Sequence, residues 1–520
     1  MLITIQPIRR KRRSIFMRCF KQIQYALLVG SFALVLNVPA EAQLIQDPEA
    51  VAAVERGVAL MEGGNWEEAF ERFTQAIKLD PTYADAFVGM GDALRALEDY
   101  QAAIGYYRQA LDINPKLASA YNGRGVCFRE IGDINMAAND FDNASQLDRK
   151  NPDIAANWGD VLINNVGDPT RAMRYLDAAI ELDPENAKAY RNRGLAHMRL
   201  RDFEAAIEDL NKSIEVDPED FETYTTLSSV YLNEQEFLLA MDALSQAIET
   251  YKPEESSDPD SFINGYLQRA KTGLDLAKLD ETTEARRQEL YQAAISDSDA
   301  VLEEFPDRYP ESGLALYQRG LALRLQGKLG EAIKSLTDAI QLAPPGEEGS
   351  YVSEAYLKRG ICWHYQEQSS LARGDLEQSA AINFEDPLPH LWIGFTYAQE
   401  EKFREAIDNY GEAISRNGSF PRVYVNRGLA YMHLKQYKKG VDNFNEAIRT
   451  EPNEHLKARH FYMRGIAHLK LGEDQKAFDS FHLATLNDET YKPAFHQAAE
   501  ASKRLGQPGL SEQYEKRAKE

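Results

Sequence analysis

Cysteine is nearly absent from this chain: three thiols in 520 residues, at Cys19, Cys127 and Cys362. There is no C-x-x-C pair and no H-E-x-x-H, so the spacings that build zinc sites are missing and no metal is expected. Positive charge is also short. Lys and Arg total 59 against 82 Asp and Glu, a formal net charge of −23. A field of that sign repels phosphate backbones, which argues against nucleic-acid partners. Neither a P-loop, a G-x-S-x-G elbow nor a dinucleotide fingerprint occurs, so an enzyme is not expected, nor a cofactor. Long apolar runs are rare as well. Only residues 25–38 (YALLVGSFALVLNV) stand out, and they fall short of the ~20 residues that span a bilayer.

That run belongs to an N-terminal segment of export type, residues 1–42. Seven basic side chains against one acid, Glu41, precede or flank the apolar stretch, and Ala40-x-Ala42 has the small-x-small form of a signal cleavage site. The mature chain is expected to begin at Gln43 and to be exported to a periplasm, cell envelope or medium. The basic region is long, and a start at Met17 would give a signal of ordinary length. The alternative is an uncleaved anchor, which would be the chain's only membrane contact.

What remains is 43% apolar and 27% charged, a globular composition. Its length exceeds what one core supports, so several domains or a repeat are expected. A repeat is visible. Small residues recur at Gly57, Gly91, Gly125, Gly159, Gly194, Ser228, Ala270, Gly320, Gly360, Gly394, Gly428, Gly465 and Ala499, and seven of the twelve spacings are 34. Twelve residues on lies a second small residue (Ala69, Ala103, Ala206, Ala406), and seven further a third (Ala76, Ala110, Ala413). In the fourth unit the second, Ala172, comes one residue late. Pro81, Pro115, Pro184, Pro218, Pro344 and Pro452 close units. Apolar residues between these marks fall at helical spacing, as in Tyr190, Leu195 and Met198, then Ala206, Ile207 and Leu210. Each unit therefore reads as two antiparallel helices that approach closely and cover their apolar faces against the next unit.

This pattern resembles the tetratricopeptide repeat over nearly all of residues 49–520. The resemblance implies an all-α solenoid, a right-handed superhelix of about 13 helix pairs whose first helices line a groove. The period divides the chain into a regular lobe at 49–253, an irregular or extended segment at 254–312, and a second lobe at 313–520 capped by helices in 492–520. The middle carries a Pro/Ser-rich acidic stretch and twelve extra residues before Ala294. They are expected to lengthen both helices or form a loop.

The resemblance also implies a protein-binding scaffold with protein or peptide partners. The groove candidates are Asn122 and Arg129, then Lys188, Arg191, Met198 and Arg199, then Arg422, Met432, Arg459 and Tyr462. Among them Lys188, Arg191 and Arg199 form the best basic patch, and the last four suit an extended peptide or a helix. Relatives that bind acidic chaperone tails use a Lys/Asn/Asn/Lys/Arg clamp. Asn157, Asn192 and Asn426 match one clamp asparagine, but the cations are not assembled, so chaperone-tail binding is not expected. A ligand-binding or regulatory subunit of an envelope enzyme or glycan-assembly complex is the alternative.

Two further patterns read as structural. Cys127 and Cys362 each sit two residues after a repeat glycine, where other units have alanine, and are expected to be inert core thiols. An arginine precedes the small residue in eight units, and Asp140, Asp209, Asp297 and Asp375 occupy the matching place in four second helices. Arg–Asp pairs within the repeat are therefore expected, with the arginine stem packed.

Overall fold

The computed structural model describes residues 46–250, 259–306, 308–343 and 351–519. Residues 1–42 and most of the acidic stretch after residue 251 lie outside these. The described residues hold 26 α-helices and no strand, arranged as thirteen consecutive antiparallel pairs. Each pair is named below by the small residue in its first helix. The helices form two compact units, residues 46–149 with three pairs and residues 150–519 with ten. This division falls at a different place from the lobes read off the spacing. Within the second unit the extra residues of the Ala270 pair lengthen its helices, Pro259–Leu276 and Glu284–Glu304, to 18 and 21 residues. Second helices elsewhere run to 14 residues almost without exception.

The close approach of paired helices has a specific cause. Sixteen residues after most repeat glycines stands a bulky, fully buried side chain whose tip lies over the glycine. A Cβ on Gly91 would meet the Tyr107 ring at 2.7 Å, one on Gly394 the Tyr410 ring at 2.4 Å, and one on Gly194 the Leu210 Cγ at 2.8 Å. Tyr107 and Tyr410 are 0% and 1% exposed. The same ring also touches the following pair: a Cβ on Gly123 would lie 2.5 Å from Tyr107. One aromatic wedge thus joins three helices, and apolar burial is the main stabilising term.

The expected arginine pairing is present. Arg124 grips Asp140 through two nitrogens at 2.7 and 2.8 Å, and Arg193 grips Asp209 at 2.8 and 2.7 Å. Arg269–Asp297 and Arg359–Asp375 repeat this fork at 2.6–3.1 Å. Where aspartate is replaced the slot stays polar, with Arg427 on Asn443 and Arg464 on Ser480. Each guanidinium also covers an aromatic ring three residues before it, as Arg124 over Tyr121 at 5.5 Å and Arg359 over Tyr356 at 5.4 Å. The bond to Asp140 holds Arg124 above its ordinary pKa, and the bond to Asp209 does the same for Arg193. These arginines are structural.

The link between paired helices is equally regular. In eleven of the thirteen described pairs the residue seven after the repeat residue adopts a left-handed backbone, whether it is glycine (Gly64, Gly132, Gly327, Gly472, Gly506) or not (Glu98, Arg201, Gln235, Glu367, Glu401, Lys435); after Gly159 it is Gly167, eight on. In the 35-residue unit the extra residue is absorbed by a π-helical turn, Leu162–Val166, where the Asp168 N–H reaches back to the Leu162 carbonyl at 2.8 Å. The late Ala172 follows directly, since a π turn holds one residue more than an α turn.

Candidate functional site

The sequence-derived candidates fare differently once their neighbours are placed. In the first unit Asn122 is half-buried and already engaged, and Arg129 binds the adjacent Glu130 at 2.6 Å. In the second unit the expected basic patch is largely engaged by neighbours. Arg191 sits between Asp220 at 2.7 Å and Glu222 at 2.9 Å, and the Lys188 ammonium donates to Asn157 at 2.6 Å. Met198 packs against the Leu210 cluster, and Arg199 stays exposed without an ion pair among the described residues. The clamp-register asparagines also work internally: Asn192 donates to the Ala156 carbonyl and Asn426 to that of Arg422.

The C-terminal candidates belong to a more distinctive surface. The first helices of the Gly360, Gly394 and Gly428 pairs are Val352–Tyr365, Leu388–Gln399 and Pro421–His433. Their side chains meet in a run of aromatic contacts. Tyr365 lies 5.9 Å from Trp392, edge to face, and Trp392 lies 5.2 Å from Phe395. His364 touches Trp392 at 5.4 Å, and the Arg422 guanidinium sits over Phe395 at 5.4 Å. Tyr365 is 60% exposed, Trp392 and Phe395 are half-buried, and Arg422 is exposed. Burial lowers the pKa of His364, so its imidazole is neutral at pH 7 and adds no charge to the patch.

The remaining candidates flank this cluster. Met432 packs beside Phe444 and close to Gly440. On the next first helix, Glu454–Leu471, Tyr462 lies 5.7 Å from Phe481 and 5.5 Å from Tyr491, while Arg459 is exposed with no ion pair among the described residues. Sequence reasoning named Arg422 but missed Tyr365, Trp392 and Phe395. A signal existed. Phe395 follows its glycine directly, in the register of Val126, Leu195 and Leu429 on other first helices, and Trp392 holds the register of Asn157 and Asn426.

Both thiols are fully buried, and burial pushes Cys127 up to about 12 and Cys362 up to about 11. Among the described residues no group of three or more His, Cys, Asp or Glu is placed to hold a metal ion. No described helix is long and apolar enough to cross a membrane.

Family models of the tetratricopeptide repeat match residues 54–118, 89–153, 163–226, 279–347 and 421–454. The chain belongs to the tetratricopeptide repeat family. Human tetratricopeptide repeat protein 13 is 30% identical over 137 residues, a match covering 26% of this chain and 15% of that protein. Among solved structures, a tetratricopeptide repeat protein from Parabacteroides merdae is 16% identical, with coverage of 53% of this chain and 100% of its own and a TM-score of 0.39. Yeast Tom70 is 14% identical, with coverage of 90% and 99% and a TM-score of 0.38. Likenesses this loose carry no argument about function. None of the matched family models describes a catalytic domain.

Proposed function

We propose that this protein is a non-enzymatic scaffold that binds protein partners through segments laid across its first helices, and that it works outside the cytoplasm. The observation that supports the binding face is the run Tyr365–Trp392–Phe395 with Arg422, spread over three successive first helices and open to solvent. Aromatic and arginine side chains exposed together are the groups that dominate protein interfaces. The extracytoplasmic location rests on the basic, apolar and small-x-small order of residues 1–42.

The first test is a photo-crosslinking amino acid placed at Tyr365 in the full chain, expressed in its own cells, with a second placed at the exposed Glu377 on a second helix as control. Protein adducts are expected at residue 365 and not at 377. Adducts at neither position, with glycan retained on purification, would favour a ligand-binding subunit of a glycan-assembly complex instead. Export is tested by N-terminal sequencing of the protein from the same cells. A chain starting at Gln43 supports it, and a retained residue 1–42 segment refutes cleavage.

A further inference from the structure

The chain is acidic, yet the face just described is not. The first helices Val352–Tyr365, Leu388–Gln399 and Pro421–His433 carry one carboxylate between them, Glu354, and it is bound to Lys358 at 2.7 Å. The next first helix, Glu454–Leu471, also has one, Glu454, and it too is held by a lysine, Lys457, at 2.7 Å. The matching second helices hold the acids: Asp375 and Glu377, then Glu405, Asp408 and Glu412, then Asp442 and Glu446. Carboxylates are therefore segregated by helix within this part of the second unit, whereas basic side chains occur on both kinds of helix. Arg422 and Arg459 occupy the same register on successive first helices, six residues before their glycines, and neither makes an ion pair among the described residues. Arg422 instead rests on the Phe395 ring, which leaves its donors free at one end of the aromatic run.

We infer that this face receives an extended acidic peptide segment, with a bulky apolar or aromatic side chain seated against Tyr365 and Trp392 and a neighbouring carboxylate on Arg422. The inference rests on the scaffold reading above and gives it a ligand chemistry. An edge-to-face pair such as Tyr365 and Trp392 offers ring surface to a third apolar group, a contact worth more than its area alone. A guanidinium already desolvated on one face by an aromatic ring binds a carboxylate with two directed hydrogen bonds. A cationic ligand is disfavoured, because it would meet Arg422 with no free carboxylate on these helices to offset the repulsion. The chain's overall negative field opposes an acidic partner at long range, so recognition depends on this local reversal of sign and weakens as salt screens it.

The test is selection of a phage-displayed library of random dodecapeptides on the full-length protein. The expected winners pair an aromatic, Leu or Ile residue with Asp or Glu within a few positions. Their binding should fall at least tenfold on Trp392→Ala and on Arg422→Glu, while Arg422→Glu should select peptides with Lys or Arg instead. Arg422 is exposed, so its charge reversal leaves the fold intact, which circular dichroism checks. Winners that are basic or uniformly apolar, no winners at all, or an unchanged preference on Arg422→Glu would each overturn the inference. Protein crosslinks at residue 365 that persist under those outcomes would leave the scaffold reading standing and refute only the ligand chemistry.

Discussion

Two glycines that look alike in sequence, Gly91 on a first helix and Gly105 on a second, behave oppositely. At Gly91 a Cβ would enter the Tyr107 ring, whereas at Gly105 it would meet nothing within 4 Å. Gly91→Ala should therefore destabilise by ~1–3 kcal/mol through overpacking. Gly105→Ala should stabilise by up to ~1 kcal/mol, because alanine is the better helix former. Thermal unfolding of the full chain separates the two, and a rise in Tm for Gly91→Ala would refute the wedge. The left-handed turn residues give the converse case. Arg201 and Glu401 hold φ of 65° and 59°, a region that costs a residue with a Cβ about 1–2 kcal/mol. Changing either to glycine should raise stability, though part of the gain is lost to the freer unfolded chain.

Titration acts at this scale too. Burial lowers the pKa of His364, His390 and His460. The unfolded chain, with histidines near the usual ~6.5, takes these protons first as pH falls. Stability is then full above that value and drops through the range below it. The urea midpoint should be lower at pH 5.5 than at 7.5, and His364→Gln should reduce the difference.

At the scale of the element, the π turn Leu162–Val166 is an accommodation rather than a requirement. It stores the one residue by which this unit exceeds 34. Deleting Asn165 should restore an ordinary α turn and a 34-residue spacing, with helical content and Tm retained. Loss of folding on deletion would show that the turn itself is needed. The Arg–Asp forks are elements of a different sort, bonds that set the approach of two helices. Asp209 has only 8% of its side chain exposed and Asp140 only 1%. Asp140→Ala would leave the Arg124 guanidinium half-buried without its partner, at a cost of about 3–5 kcal/mol. Replacing both with apolar residues of similar size should recover most of that loss, and a double-mutant cycle measures the difference.

At the scale of the whole molecule, contacts run almost entirely between a helix and its near neighbours along the chain, so cooperativity is local. The four tryptophans report on different parts: Trp66 on the first unit, and Trp158, Trp363 and Trp392 on the second. Denaturant unfolding followed by single-tryptophan variants should give transitions that do not coincide. One shared midpoint for all four would indicate a single cooperative block.

The sequence by itself determined the helix pairs, their number and the places where they touch. Those depend on local periodicity and on small residues at fixed intervals, and both survive in a linear string. It also determined the Arg–Asp forks, since a constant offset of 16 residues along a regular pair is a constant offset in space, and the structure shows the fork at Arg124, Arg193 and Arg359. Tertiary structure alone decided which outward residues are available. Lys188 and Arg191 read as part of the best basic patch, and only the fold places Asn157 and Asp220, about thirty residues away, against them. Arg422 read as one candidate among ten until Phe395 was placed beneath its guanidinium. A side chain's availability depends on neighbours from other repeats, and a register that fixes the packing residues does not fix those.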